Sequence, residues 1–479
     1  MSNGSKAEKK AHVGDRRNFL KGTLAGAACV LGFPTIIPAS ALGAEGTTAP
    51  SDRITLGCIG VGRQGTGDMR GFLQHDDVRV VAICDVQETA RKAAKALVDA
   101  RNGDKSCATY NDFRELLGRK DIDALLMATG ERWTPYIGIE AARLGKHMYY
   151  EKPCALTVEN AKAIRAAVKQ SGVVFQFGAQ QRSSQYFRFA CELVRNGKIG
   201  QLKTIAIASS GGGGRLQPEA PKDPPPGFDW DMWLGPAPWM PYSDLRTSVY
   251  WLRISDYGLG NLAGGWGIHD LDIAQWVNNS DDTTPISVEG TGTLYDDIRD
   301  TVATYDIEHT YANGVKIKFM DGGTARRQFT QFGPGNSDVL IGTEGWIWVS
   351  RDGIKTQPES LIREIIGPND KHVIGGSDFT QEAILTGSSA TLHAAAGGDH
   401  RTNFLDSIRT GRPNVSPVDV AAHDEMIAQM ADIAVRLKRK LHWDPVKEEF
   451  IDDEQANRRL AKTARGPWRT EVPDASGTA

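Results

Sequence analysis

Three glycines, Gly60, Gly62 and Gly65, stand in the run Gly60-Val61-Gly62-Arg63-Gln64-Gly65, directly after the apolar stretch Ile54–Ile59 and before a helical period. Glycines at this spacing let a backbone turn approach a pyrophosphate seated at the positive N-terminus of a helix. Gln64 belongs to the same turn. Asp85 lies at the tip of the next apolar run, Val78–Cys84, some twenty residues on. A carboxylate there accepts hydrogen bonds from an adenosine ribose and repels a 2′-phosphate, so NAD is expected over NADP, with Arg63 the nearby cation able to reach a phosphate. A merely structural glycine turn would not need a strand before it, a helix after it and an acid at this distance.

A second motif precedes the first. Asp15-Arg16-Arg17-Asn18-Phe19-Leu20-Lys21 has the form of a twin-arginine export signal. The apolar stretch from Leu24 to Ile37 is broken by glycines and Pro34 and falls short of the roughly 20 residues that span a bilayer. Ala39-Ser40-Ala41 offers a cleavage site, so residues 1–41 are set apart from the fold. Cys29 is a poor lipoprotein acceptor, because Gly26 sits where such a signal wants Leu. The expected product is a soluble periplasmic protein, handed to the twin-arginine machinery and free of the membrane after cleavage. That machinery carries folded proteins, which lets a tightly bound cofactor travel inside.

The elements that must position these residues follow from the rest of the chain. Its 479 residues carry a formal charge of −3. Six cations and two anions lie in residues 1–41, so cleavage moves the charge to −7, without the basic footprint of a nucleic-acid binder. More than 400 mature residues exceed what one core usually organises, which implies two domains. From Arg53 to about Gln180, short apolar runs (Ile54–Ile59, Val78–Cys84, Ala124–Ala128, His147–Tyr150, Val173–Phe177) alternate with helical periods, the pattern of a parallel α/β sheet. Thr157 is placed to cap one of those helices and Gly172 to stop it.

Beyond residue 180 the texture changes. A helix over about Phe189–Asn196 and a strand at Leu202–Ser209 precede a glycine- and proline-rich stretch through Pro241. Trp230, Trp233 and Trp239 within it predict packed order. From Ile286 the pattern is antiparallel: Thr301–Tyr311 and Val315–Asp321 flank Asn313-Gly314, a type I′ turn signal, and Val339–Ile341 and Trp346–Val349 flank Glu344-Gly345. Ser416-Pro417-Val418-Asp419 reads as an N-cap with proline at N1, opening a helix to about Lys438, where the basic run Arg436–Lys440 suits its C-terminus. The fold class is therefore α/β: a Rossmann dinucleotide-binding domain over 52–180, and an α+β domain with a large, mostly antiparallel open sheet over 181–479. Five cysteines remain after cleavage (Cys58, Cys84, Cys107, Cys154, Cys191), with no C-x-x-C or Cys/His spacing, so buried thiols, no disulfide and no metal site are expected.

The strand that ends in Glu151-Lys152-Pro153, after a glycine-turn domain of this length, resembles the glucose–fructose oxidoreductase / inositol dehydrogenase (Gfo/Idh/MocA) family. The resemblance continues through Gln181-Arg182, through Gly264-Gly265-Trp266-Gly267-Ile268-His269-Asp270-Leu271-Asp272, and through Asn403–Asp406 to Trp443-Asp444-Pro445. It is closest in form to the secreted, twin-arginine members. It implies that Lys152 sits beside the nicotinamide and steadies charge on a substrate oxygen, and that His269 is the general acid or base, a residue type that titrates near working pH. It adds Thr129, Glu151 and Lys152 itself to the cofactor contacts. By position it assigns Arg182, Tyr250, Trp251 and Asp256 to the substrate, and Asp272, one turn after His269, to the imidazole or a sugar hydroxyl. A homo-oligomer is implied as well.

Two departures accompany the resemblance. Gly265 stands where the family usually has an aspartate four residues before the histidine. Thr129-Gly130-Glu131-Arg132-Trp133-Thr134 replaces a common T-P-x-x-x-H, and Asp256 or Asp270 is a candidate substitute for the missing acid. The resemblance thus implies NAD-dependent oxidation or reduction of a sugar, glycoside or cyclitol hydroxyl with a retained cofactor. The rivals are a redox-neutral NAD-dependent glycoside hydrolase, lyase or epimerase, and a non-catalytic dinucleotide-binding carbohydrate sensor.

Overall fold

Six short apolar runs build the first sheet of the computed structural model, which describes residues 52–364, 366, 370 and 400–468. The export signal, its cleavage site and Cys29 lie outside the described residues. The strands are β1 (Ile54–Ile59), β2 (Val78–Cys84), β3 (Ala108–Tyr110), β4 (Ala124–Met127), β5 (His147–Tyr150) and β6 (Phe175–Phe177). All neighbours run parallel in the order β3-β2-β1-β4-β5-β6. Parallel pairs need crossovers, supplied by α1 (Arg63–Phe72), α2 (Glu88–Asn102), α3 (Phe113–Leu117), α4 (Thr134–Arg143) and α5 (Val158–Ser171). Helices on both faces explain why the central strand β4 is buried at every residue. Thr157 caps α5 by accepting from the Asn160 N–H at 3.1 Å, and Gly172 ends it in the left-handed region. The strand order reverses between β1 and β4, which opens a crevice at their carboxyl ends, where ligands of such sheets bind.

The chain then forms α6 (Gln185–Arg195) and β7 (Leu202–Ser209), the first strand of a nine-stranded sheet. Its other strands are β8 (Ser287–Leu294), β9 (Val302–Thr310), β10 (Lys316–Asp321), β11 (Ser337–Gly342), β12 (Trp346–Ser350), β13 (Gly353–Gln357), β14 (Leu441–Asp444) and β15 (Glu449–Phe450). The order is β13-β12-β11-β7-β10-β9-β8-β14-β15, and only β7 with β10 runs parallel. Between β7 and β8 lie α7 (Trp230–Leu234) and α8 (Gly267–Asn278); after β13 come α9 (His400–Thr410) and α10 (Val418–Leu437). The last of these is buried along almost its whole length. Such all-round burial suits a helix with neighbours on two sides, and α10 packs on both α5 and β8.

Three local expectations are corrected. The hairpin at Asn313-Gly314 is present, but only Gly314 has positive φ (84°), and the bonds Gly314 N–H to Tyr311 O and Tyr311 N–H to Val315 O close a three-residue loop. Ala312 lengthens the loop, so a type I turn with a left-handed glycine replaces type I′. Ser416 is not the cap of α10: Pro417 holds that place, and the Ser416 hydroxyl donates to the Phe177 carbonyl at 2.8 Å. Of the three tryptophans, Trp230 and Trp233 stack at 4.8 Å, whereas Trp239 is 60% exposed. The five described cysteines, Cys58, Cys84, Cys107, Cys154 and Cys191, are free and buried. Among the described residues no helix is long and apolar enough to cross a membrane.

Candidate active site

The glycine turn separates into two kinds of glycine. A Cβ on Gly60 (φ 80°) would lie 2.5 Å from the Ala128 carbonyl oxygen, and one on Gly65 would lie 1.9 Å from the Gly60 oxygen. Close packing of the β1–α1 turn on Ala128, and of α1 on the turn, demands both. Gly62 has an ordinary φ of −64° and nothing within 4 Å of a built Cβ. No protein atom requires glycine there; the space itself is what it preserves. It heads α1, which has no side-chain cap, so first-turn N–H groups remain for an anion.

Asp85 ties β2 to this turn: one carboxylate oxygen accepts from Val61 N–H at 2.8 Å, the other from Gln87 N–H at 2.9 Å. Burial pushes its pKa up and these amides pull it back. Each oxygen keeps a lone pair for a ribose hydroxyl. Thr129, at the end of β4, has its hydroxyl buried without a partner. Gly62, Asp85 and Thr129 line one side of a cavity of about 210 Å³. An open glycine cradle, a ribose-competent carboxylate and an orphaned hydroxyl fit a dinucleotide. Arg63 is exposed, and Gln64 turns along α1 to donate to Asp68 at 3.0 Å.

The opposite wall of the cavity is the long connection between β7 and β8, through Met232, Trp233 and Trp251. That wall is fastened over the tip of β2. Gln87 and Phe228 form an antiparallel bridge, Glu88 N–H donates to Gly227 O at 2.9 Å, and Asp229 N–H donates to Val86 O at 3.0 Å. Asn111 Nδ2 donates to Asp229 at 2.7 Å, and the Trp133 indole to Met232 O at 2.8 Å. Arg132, buried and lying 3.9 Å from the Trp233 ring centroid, donates twice to the Trp233 carbonyl. Near the C-terminus Arg465 donates to Gly235 O at 3.0 Å and pairs with Asp231 at 2.6 Å, while Trp468 packs edge-on against Trp133 at 4.6 Å. These contacts roof the adenosine end of the crevice. Trp251, assigned to the substrate from sequence, instead packs on Gly130, whose built Cβ would be 2.7 Å from its ring, and lines this cavity.

At the other end β5 delivers Glu151 and Lys152, the latter joined to Pro153 by a cis bond. Lys152 Nζ donates to the carbonyls of Gly264 and Gly265 at 3.0 Å each. An ammonium has three donors, so one is left for a substrate oxygen. Burial lowers its pKa while Glu151 and Glu131 raise it. Glu151 accepts from Gln180 at 2.5 Å, and burial, then Asp68, pushes it up to about 8. His269 rides on the first turn of α8, 5% exposed. Burial, then Lys152 and Arg351, holds its imidazole far below 6.5, hence neutral. Its Nδ1 is buried without a partner, which leaves Nε2 to exchange a proton.

The space of the missing aspartate is accounted for. A Cβ on Gly265 would come within 2.9 Å of Ser210 Oγ, a buried hydroxyl with no partner. A serine just after β7 thus packs against Gly265, the position where the family resemblance leads one to expect an aspartate. Asp270 is nearby and buried, with its pKa pushed up to about 7 by that burial, whereas Asp256 lies beside Lys462, whose ammonium feels its charge.

Two further assignments, Arg182 and Asp272, are corrected. Arg182 is 1% exposed and is consumed by Asp272 at 2.7 Å and Asp281 at 2.8 and 2.9 Å. Asp272 therefore neither orients His269 nor faces a sugar; an i, i+3 spacing shares a helix face only broadly, and the buried arginine claims the carboxylate. Tyr250 lies under Arg299 and Arg253, at 5.5 and 5.8 Å from their guanidinium carbons. Sequence reasoning missed Glu131, Ser210 and Arg351. Glu131 is fully buried, accepts from Leu259 N–H at 2.6 Å, and its other oxygen sits 2.5 Å from a Cβ built on Gly264. Its place in the altered Thr129–Thr134 segment was the available signal. Ser210 and Arg351 stand outside any motif.

Comparison with known proteins places this geometry. Residues 54–179 match the family model described as "Oxidoreductase family, NAD-binding Rossmann fold", and residues 212–351 with 391–470 match its C-terminal alpha/beta domain. The chain is 27% identical over 234 residues to the uncharacterized oxidoreductase YrbE of Bacillus subtilis, covering 48% of this chain and 55% of that protein. It is 35% identical over 126 residues to an alpha-N-acetylgalactosaminidase of Shewanella oneidensis, covering 26% and 28%. The alignments thus span about half, or less, of these relatives. Among solved structures, the WlbA dehydrogenase of Bordetella pertussis, in complex with NADH and UDP-GlcNAcA, aligns with TM-score 0.59 at 15% identity over 82% of this chain and 98% of that one. The aldose-aldose oxidoreductase of Caulobacter crescentus aligns with TM-score 0.55 at 18% identity over 81% and 99%. At such identities the likeness shows the fold.

Proposed function

Because this chain belongs to the Gfo/Idh/MocA family of NAD-binding oxidoreductases, we propose that it oxidises or reduces a CH–OH group of a sugar, glycoside or cyclitol, with a tightly held NAD. The observation that carries the reading is the meeting of Lys152 with the Gly264-Gly265 carbonyls, just ahead of His269. It sets a cation and a neutral imidazole at one end of a dinucleotide crevice. The bound nicotinamide supplies the hydride acceptor or donor. Lys152 uses its remaining N–H to hold the carbinol oxygen and steady the alkoxide that develops there. His269 Nε2 takes the hydroxyl proton in oxidation and returns it in reduction. Ser210 offers a neutral hydroxyl beside Gly265, where the family's usual acid is absent. NAD is favoured over NADP by Asp85.

Tight retention is supported by the roof over the adenosine end, and it suits export as a folded, loaded protein. In this proposal the Asp15–Lys21 motif directs the chain to the periplasm, and the mature protein is a homo-oligomer. A redox-neutral cycle, in which transient oxidation at one carbon would acidify a neighbouring C–H and NAD, when bound, would supply both the hydride acceptor and the hydride donor, is a second reading. The enclosed crevice and the likeness to a galactosaminidase favour it. Incubating the purified protein with sugars and glycosides in deuterated water separates the two. Net oxidation leaves an oxidised sugar and bound NADH; a redox-neutral cycle cleaves or epimerises the substrate and places deuterium beside the transient ketone. Inactivity over a broad panel, with nucleotide bound, would refute both.

A further inference from the structure

Arg351 immediately follows β12, and its guanidinium carbon lies 4.3 Å from the centroid of the Trp266 ring. That ring is 5.5 Å from the His269 imidazole. Arg351 is solvent-accessible, and among the described residues it makes no ion pair. Other arginines of this domain differ: Arg182 is held by two aspartates and Arg299 by Asp297 at 2.5 Å. Stacking on an indole occupies the face of a guanidinium and leaves its N–H edge free in a fixed direction. That edge matches an oxyanion, to which planar arginine binds in bidentate fashion.

The surrounding charge points the same way. Lys152 and Arg351 are both cationic, while burial favours the protonated forms of Glu151, Glu131 and Asp270. Asp270, Glu151 and Asp352 are the acids whose charge Arg351 feels, and burial opposes ionisation of the first two, which weakens their competition with a substrate anion. A neutral sugar offers Arg351 hydroxyl acceptors but no charge-assisted, bidentate partner. We propose that Arg351 is a specificity residue for an acidic sugar, receiving a carboxylate or sulfate group of the substrate on the N–H edge held over Trp266 beside His269. This inference rests on the reading of the site as a carbohydrate redox centre. A substrate anion there also offsets one of the cations that weaken His269 as a base.

The test titrates the protein as purified, with its nucleotide bound, and follows the fluorescence of bound NADH. Ligands are methyl glycosides of gluco, galacto and manno configuration, each as the neutral sugar, the uronate and the 6-sulfate. Wild type is expected to bind at least one acidic form about ten-fold or more tighter than its neutral counterpart, the range of a charge-assisted pair. In R351Q the preference falls to within about two-fold, while R351K keeps part of the preference. Preference for the uronate identifies a carboxylate substrate, and preference for the sulfate identifies a sulfated one. Equal binding of neutral and acidic forms by wild type, or an undiminished preference in R351Q, overturns the inference and leaves the carbohydrate reading standing. If no sugar changes the signal, the carbohydrate reading falls and this inference with it.

Discussion

Replacing Asp229 by alanine tests whether the roof retains the cofactor. The Asp229 side chain makes two bonds: it accepts from Asn111 Nδ2 at 2.7 Å, and it caps α7 by accepting from Met232 N–H at 3.0 Å. Its main-chain bond to Val86 survives the substitution. Loss of an aspartate cap costs about 1 kcal/mol. Loss of a hydrogen bond to a charged group costs about 1.5–3 kcal/mol, because the Asn111 amide loses its partner. The roof is thus weakened by about 2.5–4 kcal/mol. If the adenosine end leaves only when the roof opens, D229A releases nucleotide roughly 10²- to 10³-fold faster, at about 1.4 kcal/mol per factor of ten. The assay dilutes loaded protein into an enzyme that consumes free nucleotide and follows the loss of bound NADH fluorescence. N111A should produce part of the effect and little more in combination with D229A. A D229A protein with a lowered Tm but a release rate within three-fold of wild type would refute the gating role.

Lys152→Gln is expected to bind nucleotide normally and to lose roughly 10²- to 10⁴-fold in turnover of whichever substrate is found, because the charge on the developing oxyanion is no longer met. Gly62→Val should change thermal stability by less than about 1 kcal/mol yet abolish nucleotide binding in calorimetry, whereas Gly65→Val should fail to fold, its first side-chain carbon lying 1.9 Å from a carbonyl. Arg182→Ala should cost about 3–5 kcal/mol in denaturant unfolding, since it strands the buried Asp272 and takes the partner of the half-buried Asp281; an effect on substrate KM alone would restore Arg182 to the substrate site. Glu448 pairs bidentately with Arg165 at 2.5 and 2.7 Å, and although burial pushes its carboxyl up, His423 and Arg165 outweigh this and hold it down to about 2. The unfolded form, nearer 4.5, binds the proton first, so this stability is complete above pH 4.5 and is lost as pH falls toward 2. E448Q should remove up to about 3 kcal/mol at pH 7 and flatten the acid limb of stability.

The parallel domain was legible because each of its signals is local. Val78–Cys84 is apolar but for Arg79 and His147–Tyr150 is a short run closed by Met148-Tyr149-Tyr150, and Thr157 and Gly172 bound α5 by a side-chain cap and a left-handed glycine. Hairpin partners were legible, but the turn type was not, since one added residue changes which positions need positive φ. At the site, the residues on motifs were found and those reached through folding were not. Ser210 meets Gly265 only because β7 ends beside the loop before α8, and Arg351 meets Trp266 across a separation of 85 residues. The misassigned residues failed for the same reason: Arg182 and Trp251 sit close in sequence to functional positions, but tertiary contacts with Asp272, Asp281 and Gly130 decide where they point.

The central claim is a folded chain that keeps one NAD behind a roof built from its own second domain. The most direct measurement denatures protein purified without added nucleotide and quantifies what is released by chromatography and mass spectrometry. The account expects close to one NAD(H) per chain, surviving gel filtration and dialysis. Protein that emerges empty yet folded, or that carries NADP, would contradict it.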